Sequence, residues 1–111
     1  MASSVLGLIF NMKYIITENR ITRLVGELVK QVYPDFAKGK CHVEDMGDED
    51  NPTIHFFNDI VYAKYNVWNE ELQLRRDLFD TLEAYFGEDK MAYVIDWFND
   101  EFGMNAEYIT F

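Results

Sequence analysis

The chain has 111 residues and a formal net charge of −10, with 49% hydrophobic and 16% aromatic residues. This length fits one domain, and the apolar content is enough to offset the chain entropy lost on folding, which excludes an intrinsically disordered protein. A negative field repels nucleic acid and anionic membranes and attracts basic protein surfaces, so we expect direct binding to neither of the first two.

The negative charge is concentrated in the later part of the chain. Residues 1–40 carry six Lys or Arg against three Asp or Glu, whereas residues 41–111 carry four against seventeen. No stretch approaches the roughly 20 apolar residues of a membrane-spanning helix. Cys41 is the single cysteine, which excludes an intrachain disulfide and fits a reducing compartment, so we expect a cytoplasmic protein.

The first predicted elements are a strand and a helix. Residues 1–11 are interpreted as an N-terminal extension or edge strand, and residues 12–111 as a single domain. Lys13–Ile16 is predicted to be extended, and Thr17 to cap a helix that Pro34 ends. The helix is indicated by apolar residues at helical spacing: Ile21, Leu24, Val25, Leu28, Val29 and Val32.

The middle of the chain is predicted to be a β-meander. Its strands are Cys41–Asp45, Thr53–Phe57 and Ile60–Val67, and Gly47–Pro52 has the composition of a loop. Asn58-Asp59 predicts a tight two-residue hairpin turn, because both residue types tolerate a left-handed backbone.

Two helices and a strand are predicted to follow. Asn69 is expected to cap a helix that starts at Glu70-Glu71 and stops at Gly87, with Trp68 packed at the corner before it. The next helix is predicted over residues 89–102, and residues 107–111 alternate as a final strand. The prediction is an α+β domain of order β-α-β-β-β-α-α-β, in which three helices pack on a mostly antiparallel sheet.

No catalytic signature is present in the sequence. Ser3 and Ser4 are the only serines, and both lie at the N-terminus, where a nucleophile would lack a fixed environment. No Gly-rich phosphate loop, dinucleotide fingerprint or helical zinc motif occurs. We therefore expect a protein that is not an enzyme and that uses no cofactor.

Two histidines define an alternative. If Asp45 pairs with Pro52 across the loop, His42 lies opposite His55, and Glu44 and Tyr62 share the same face of the sheet. His42, His55 and Glu44 would then form a surface metal site or enzyme site. The other interpretation is two half-exposed histidines without a ligand.

Two groups of acids are candidate partner-binding residues. The first is Asp48, Glu49 and Asp50, in a loop that lacks the spacing of a calcium site and serves either as a solvated tip or as a contact for a basic partner. The second is Asp96 and Asp100, one helical turn apart, with Trp97 beside them as an anchor. The alternative is an ordinary acidic face with Trp97 turned toward the core.

The residues Met12–Asn19 read M-K-Y-I-I-T-E-N. This segment resembles the opening of small uncharacterised proteins encoded by tailed phages, in which a short strand leads directly into an amphipathic helix. The resemblance implies a viral origin, a location in the host cytoplasm, and Met12 as the usual start. It implies no activity and no residue role.

These observations lead to two main hypotheses. The first is a non-enzymatic acidic protein that binds a basic protein surface, as an inhibitor or as a nucleic-acid mimic. The second is a structural component that forms homo-oligomers through the apolar run Val5–Phe10 and the terminal strand Tyr108–Phe111.

Overall fold

The first helix lies where the apolar spacing predicts it. The computed structural model describes residues 20–111, and residues 20–32 form the helix α1 within that range. Val25 and Val29, one turn apart, are fully buried and attach α1 to the core. The predictions for residues 1–11, Lys13–Ile16 and the cap at Thr17 concern residues outside the described range.

A five-stranded sheet is formed within the described residues. Its strands are β1 (His42–Asp45), β2 (Thr53–Phe57), β3 (Val61–Asn66), β4 (Glu71–Leu74) and β5 (Tyr108–Thr110), and they lie side by side in that order. The pairs are antiparallel except for β4 and β5, which are parallel. The predicted class, an α+β domain with a mostly antiparallel sheet, is confirmed.

Two further helices connect β4 to β5. The helix α2 (Arg76–Phe86) ends at Gly87, and α3 (Met91–Phe102) follows a short 3-10 turn at Glu88–Lys90. The predicted stop at Gly103 is confirmed, because its left-handed φ of 66° closes α3 in a conformation that glycine adopts without strain. The helices pack on one face of the sheet, through buried side chains that include Leu78, Leu82, Val94 and Phe98.

The strand β4 corrects one prediction. Residues 70–74 were expected to begin a helix, whereas Glu71–Leu74 is a strand between β3 and β5, and α2 begins at Arg76. Leu72 and Leu74 are buried while Gln73 is exposed, the alternation of a strand with one face on the core. Glu70 has a left-handed φ of 54°, which a helix start does not allow.

Aromatic rings form the centre of the core. Phe36 is fully buried and stacks on Tyr62 at 5.4 Å and on Phe102 at 5.2 Å. Trp97 lies edge-on to Phe36 at 5.4 Å and is only 7% exposed. A Cβ added at Gly26 of α1 would lie 2.9 Å from the indole Nε1 of Trp97, so α1 and α3 are in close contact at this point.

Candidate functional site

One end of the sheet gathers three connecting loops. Thr53, Asn66, Glu71 and Tyr108 form a single row across β2, β3, β4 and β5. The Met46 N–H donates to the Thr53 carbonyl at 2.9 Å and extends the row to the residue after β1. Residues 46–52, 67–70 and 105–107 therefore leave or enter the sheet at the same end.

Hydrogen bonds tie these loops to one another. The amide of Asn66 donates to Asn51 Oδ1, and the N–H of Val67 donates to the Pro52 carbonyl at 3.2 Å. The Glu70 carbonyl accepts from the N–H of Glu107 at 2.8 Å and from that of Tyr108 at 3.1 Å. Hydrogen bonds thus connect the three loops at this end of the sheet to one another.

This end of the sheet is acidic throughout. Its acids, which we call the acidic rim, are Asp45, Asp48, Glu49, Asp50, Glu70, Glu71 and Glu107, and the three loops contain no Lys or Arg. The negative charge of the acidic rim also influences a buried side chain. The pKa of Tyr65 is raised, first by burial and then by the charges of Glu70 and Glu107, although a hydrogen bond with the backbone of Asn105 acts in the opposite direction.

An exposed tryptophan lies in one of the loops that carry the acidic rim. Trp68 lies in the turn between β3 and β4 with 65% of its surface exposed, and the nearby Met46 and Tyr108 are 51% and 61% exposed. Its predicted packing at a strand-to-helix corner is wrong, because the turn leads into β4 and not into a helix. The next residues fix the turn: the N–H of Asn69 donates to Asn66 Oδ1 at 2.9 Å, and Glu70 adopts its left-handed conformation.

The predicted loop acids belong to the acidic rim. Asp48, Glu49 and Asp50 are all exposed at the tip of the β1–β2 hairpin. A glycine is required at the base of this tip, because a Cβ at Gly47 would lie 2.0 Å from the Asn51 carbonyl oxygen. Sequence reasoning placed these three acids together, but it did not bring Glu70 and Glu107 to the same end.

The predicted helical acids lie on a different surface. Asp96 and Asp100 line an open groove of about 650 Å³ between α1 and α3, which Arg23 also lines. Trp97 borders this groove but is buried against Phe36 and is not available as an exposed anchor. The alternative prediction, an acidic face with Trp97 turned toward the core, describes this location.

The register of the sheet separates the two histidines. His42 pairs with Phe57, and His55 pairs with Glu44 on one side and with Lys64 on the other. The predicted pairing of His42 with His55 is wrong, because Pro52 lacks an N–H and Thr53 pairs with Met46 instead. Tyr62 is also not on this face, because a bulge beside Phe57 turns its ring into the core, where it is 6% exposed.

The surroundings of His55 disfavour a metal cation. Its pKa is lowered by partial burial and by the neighbouring Lys64 ammonium, and Asp45 only partly offsets these effects. Between residues 20 and 111, no group of three or more His, Cys, Asp or Glu side chains is arranged to hold a metal ion. Glu44 remains beside His55, but His42 does not complete a site with them.

Comparisons with known proteins add no relative. Protein-family models, curated proteins and solved structures yield no match to this chain. In the part of the chain that the structure describes, no helix has the length and apolar character needed to cross a membrane.

Proposed function

We propose that the protein is a non-enzymatic interaction protein that binds a basic protein surface through the acidic rim. The observation that carries the proposal is Trp68, a large aromatic side chain that is 65% exposed among acids and without Lys or Arg in the surrounding loops. Such a protein acts as an inhibitor or as a nucleic-acid mimic, by covering a surface that otherwise binds phosphates.

The two components of this surface have different roles in binding. The negative charges of the acidic rim speed the encounter with a basic partner and disfavour acidic partners. Exposed charge pairs, however, add little to the free energy of binding. A tryptophan buried at the centre of an interface supplies much more, because tryptophan is enriched among the residues that dominate binding energy. The hydrogen bonds between the loops support the proposal, since a surface that is already ordered loses less entropy on binding.

The helical acids Asp96 and Asp100 are the second choice for the partner-binding surface. Their groove is also lined by a cationic residue, Arg23, and the adjacent Trp97 is buried. The loops of the acidic rim contain no Lys or Arg, and their tryptophan is exposed. We also propose a viral origin and the host cytoplasm as the compartment, on the resemblance of residues 12–19 alone.

Salt dependence tests the proposed function. The immobilised chain is incubated with extract of the source cell at about 50 mM and about 300 mM salt, since the longer Debye length at low salt strengthens attraction between exposed charges. We expect a basic protein to be retained at low salt and its affinity to fall at least about tenfold at the higher salt. A retained partner whose affinity is the same at both concentrations would contradict the proposal.

Self-association is a second candidate function, and one observation favours it. The strand β5 is at an edge of the described sheet, its Tyr108 is 61% exposed, and Phe111, which follows the strand, is 48% exposed. A second copy could pair with this edge. The other predicted contact, Val5–Phe10, lies outside the described residues. Light scattering distinguishes the two functions, because a chain that stays monomeric at high concentration does not assemble.

A further inference from the structure

The strand β1 is an open edge of the described sheet. It pairs with β2 on one side and with no strand of residues 20–111 on the other. All four of its residues, His42–Asp45, are exposed. An open edge of this kind presents backbone N–H and C=O groups on which a further strand can form hydrogen bonds.

The ladder with β2 determines which backbone groups are open. Met46 donates to the Thr53 carbonyl, so Met46 and Thr53 form a hydrogen-bonded pair. Because such pairs alternate along antiparallel strands, Glu44 also directs its backbone groups to β2. The N–H and C=O groups of Val43 and Asp45 consequently point away from β2, toward the open edge.

The negative charge of the β1–β2 hairpin favours a basic strand at this edge. Residues 41–63 contain no Lys or Arg, and Glu44 and Asp45 lie on β1 itself, with Asp48 and Asp50 in the loop beyond. Pairing with the β1 strand of a second copy would bring like charges together, which disfavours it. A strand that carries Lys or Arg is attracted instead.

The two faces of β1 differ in what they offer a sixth strand. Val43 is paired with the buried Phe56 and is 44% exposed, so an apolar side chain beside it would extend the core face. Glu44 is on the opposite face, paired with His55, where a cationic side chain would meet it. Asp45 follows Val43 on the core face, paired with Ile54. A segment that alternates basic and apolar residues therefore matches Glu44 and Val43, and a further basic residue at its end matches Asp45.

We propose that β1 binds an extended basic segment of the partner as an added strand of the sheet. This inference rests on the proposed function and names the form in which the partner binds. The segment forms backbone hydrogen bonds with Val43 and Asp45, and it places an apolar residue beside Val43 and Lys or Arg residues beside Glu44 and Asp45. The acidic rim at the end of the strand then contacts the rest of the partner.

Hydrogen exchange with a defined peptide tests the proposal on the unmodified protein. The probe is acetyl-Lys-Val-Lys-Val-Lys-Val-amide. Its control is the same peptide with every backbone nitrogen methylated, which keeps the Lys charges but cannot pair as a strand, because the methyl groups replace the backbone N–H donors and obstruct approach to the edge. With the probe near saturation, we expect exchange at the Val43 and Asp45 amides to slow at least about tenfold, and to stay unchanged with the methylated peptide. A bound probe that leaves both amides unprotected would overturn the proposal.

The substitution Val43→Pro tests the same edge in the protein. Proline removes an N–H that points away from β2, so the β1–β2 ladder and all charges are kept. We expect affinity for the probe to fall at least about tenfold in Val43→Pro and to change less than about twofold in the control Val43→Thr. Equal affinity of both variants, with salt-sensitive capture of a basic protein intact, would reject strand addition and leave the proposed function in place. Loss of salt sensitivity would instead reject the proposed function.

Discussion

Replacing Phe36 with alanine is expected to lower the free energy of unfolding by about 3–5 kcal/mol, the range for a large aromatic removed from a core. Phe36 is fully buried and follows α1, so its ring joins that segment to both the sheet and α3. The rings within 6.3 Å of it belong to Phe56, Tyr62, Trp97 and Phe102. Chemical denaturation measures the effect.

The control for this substitution is Tyr85→Ala. Tyr85 is 69% exposed on α2, so its replacement is expected to cost less than about 1 kcal/mol. A Phe36→Ala variant that was no less stable than Tyr85→Ala would show that the aromatic cluster is not the centre of the core.

Replacing Trp68 with alanine is expected to weaken binding of the basic partner by about 2 kcal/mol, or roughly thirtyfold, the usual size of a hot-spot effect. Stability should change by less than about 1 kcal/mol, because the side chain is mostly exposed in the free protein. Isothermal titration with the partner captured at low salt measures the affinity.

Tyr85→Ala is again the matched control. It removes an aromatic side chain of similar exposure from α2, a helix that contributes no acid to the acidic rim, and is expected to bind like the unaltered protein. If Trp68→Ala also bound like the unaltered protein, Trp68 would not be part of the interface.

Local patterns predicted most of the elements correctly. The strand Thr53–Phe57 is observed with its predicted bounds, and the helix that ends at Gly103 has its predicted stop. These predictions depend on residue spacing and on the conformational preferences of glycine and proline, which act within a few residues. They hold because the tertiary fold does not oppose them.

The strand β4 was missed because two local signals conflicted. Asn69 followed by Glu70-Glu71 has the composition of a helix start, whereas Leu72 and Leu74 have the alternation of a strand. Pairing with both β3 and β5 decides in favour of the strand. The alternation of apolar and polar residues is the sequence signal for this strand, but it extends over only four residues.

The two tryptophans differ in how far the sequence predicts their environments: of the two alternatives for Trp97 the buried one is observed, whereas the predicted packing of Trp68 is wrong. Trp97 is buried and Trp68 is exposed. Trp97 is three residues after the fully buried Val94, so helical spacing alone indicates its place in the core. The exposure of Trp68 depends on the turn into β4, and the approach of Glu107 to Glu70 depends on the parallel pairing of β4 with β5. Neither follows from local sequence.

The most direct test of the acidic rim compares two pairs of neutralised acids. Asp48→Asn/Asp50→Asn and Asp96→Asn/Asp100→Asn each remove two charges from the net −10, one pair from the acidic rim and the other from the groove between α1 and α3. Affinity for the captured partner is measured at one salt concentration. We expect the first pair to weaken binding about tenfold and the second less than about twofold. Equal losses, or a greater loss for the second pair, would contradict a binding surface at the acidic rim.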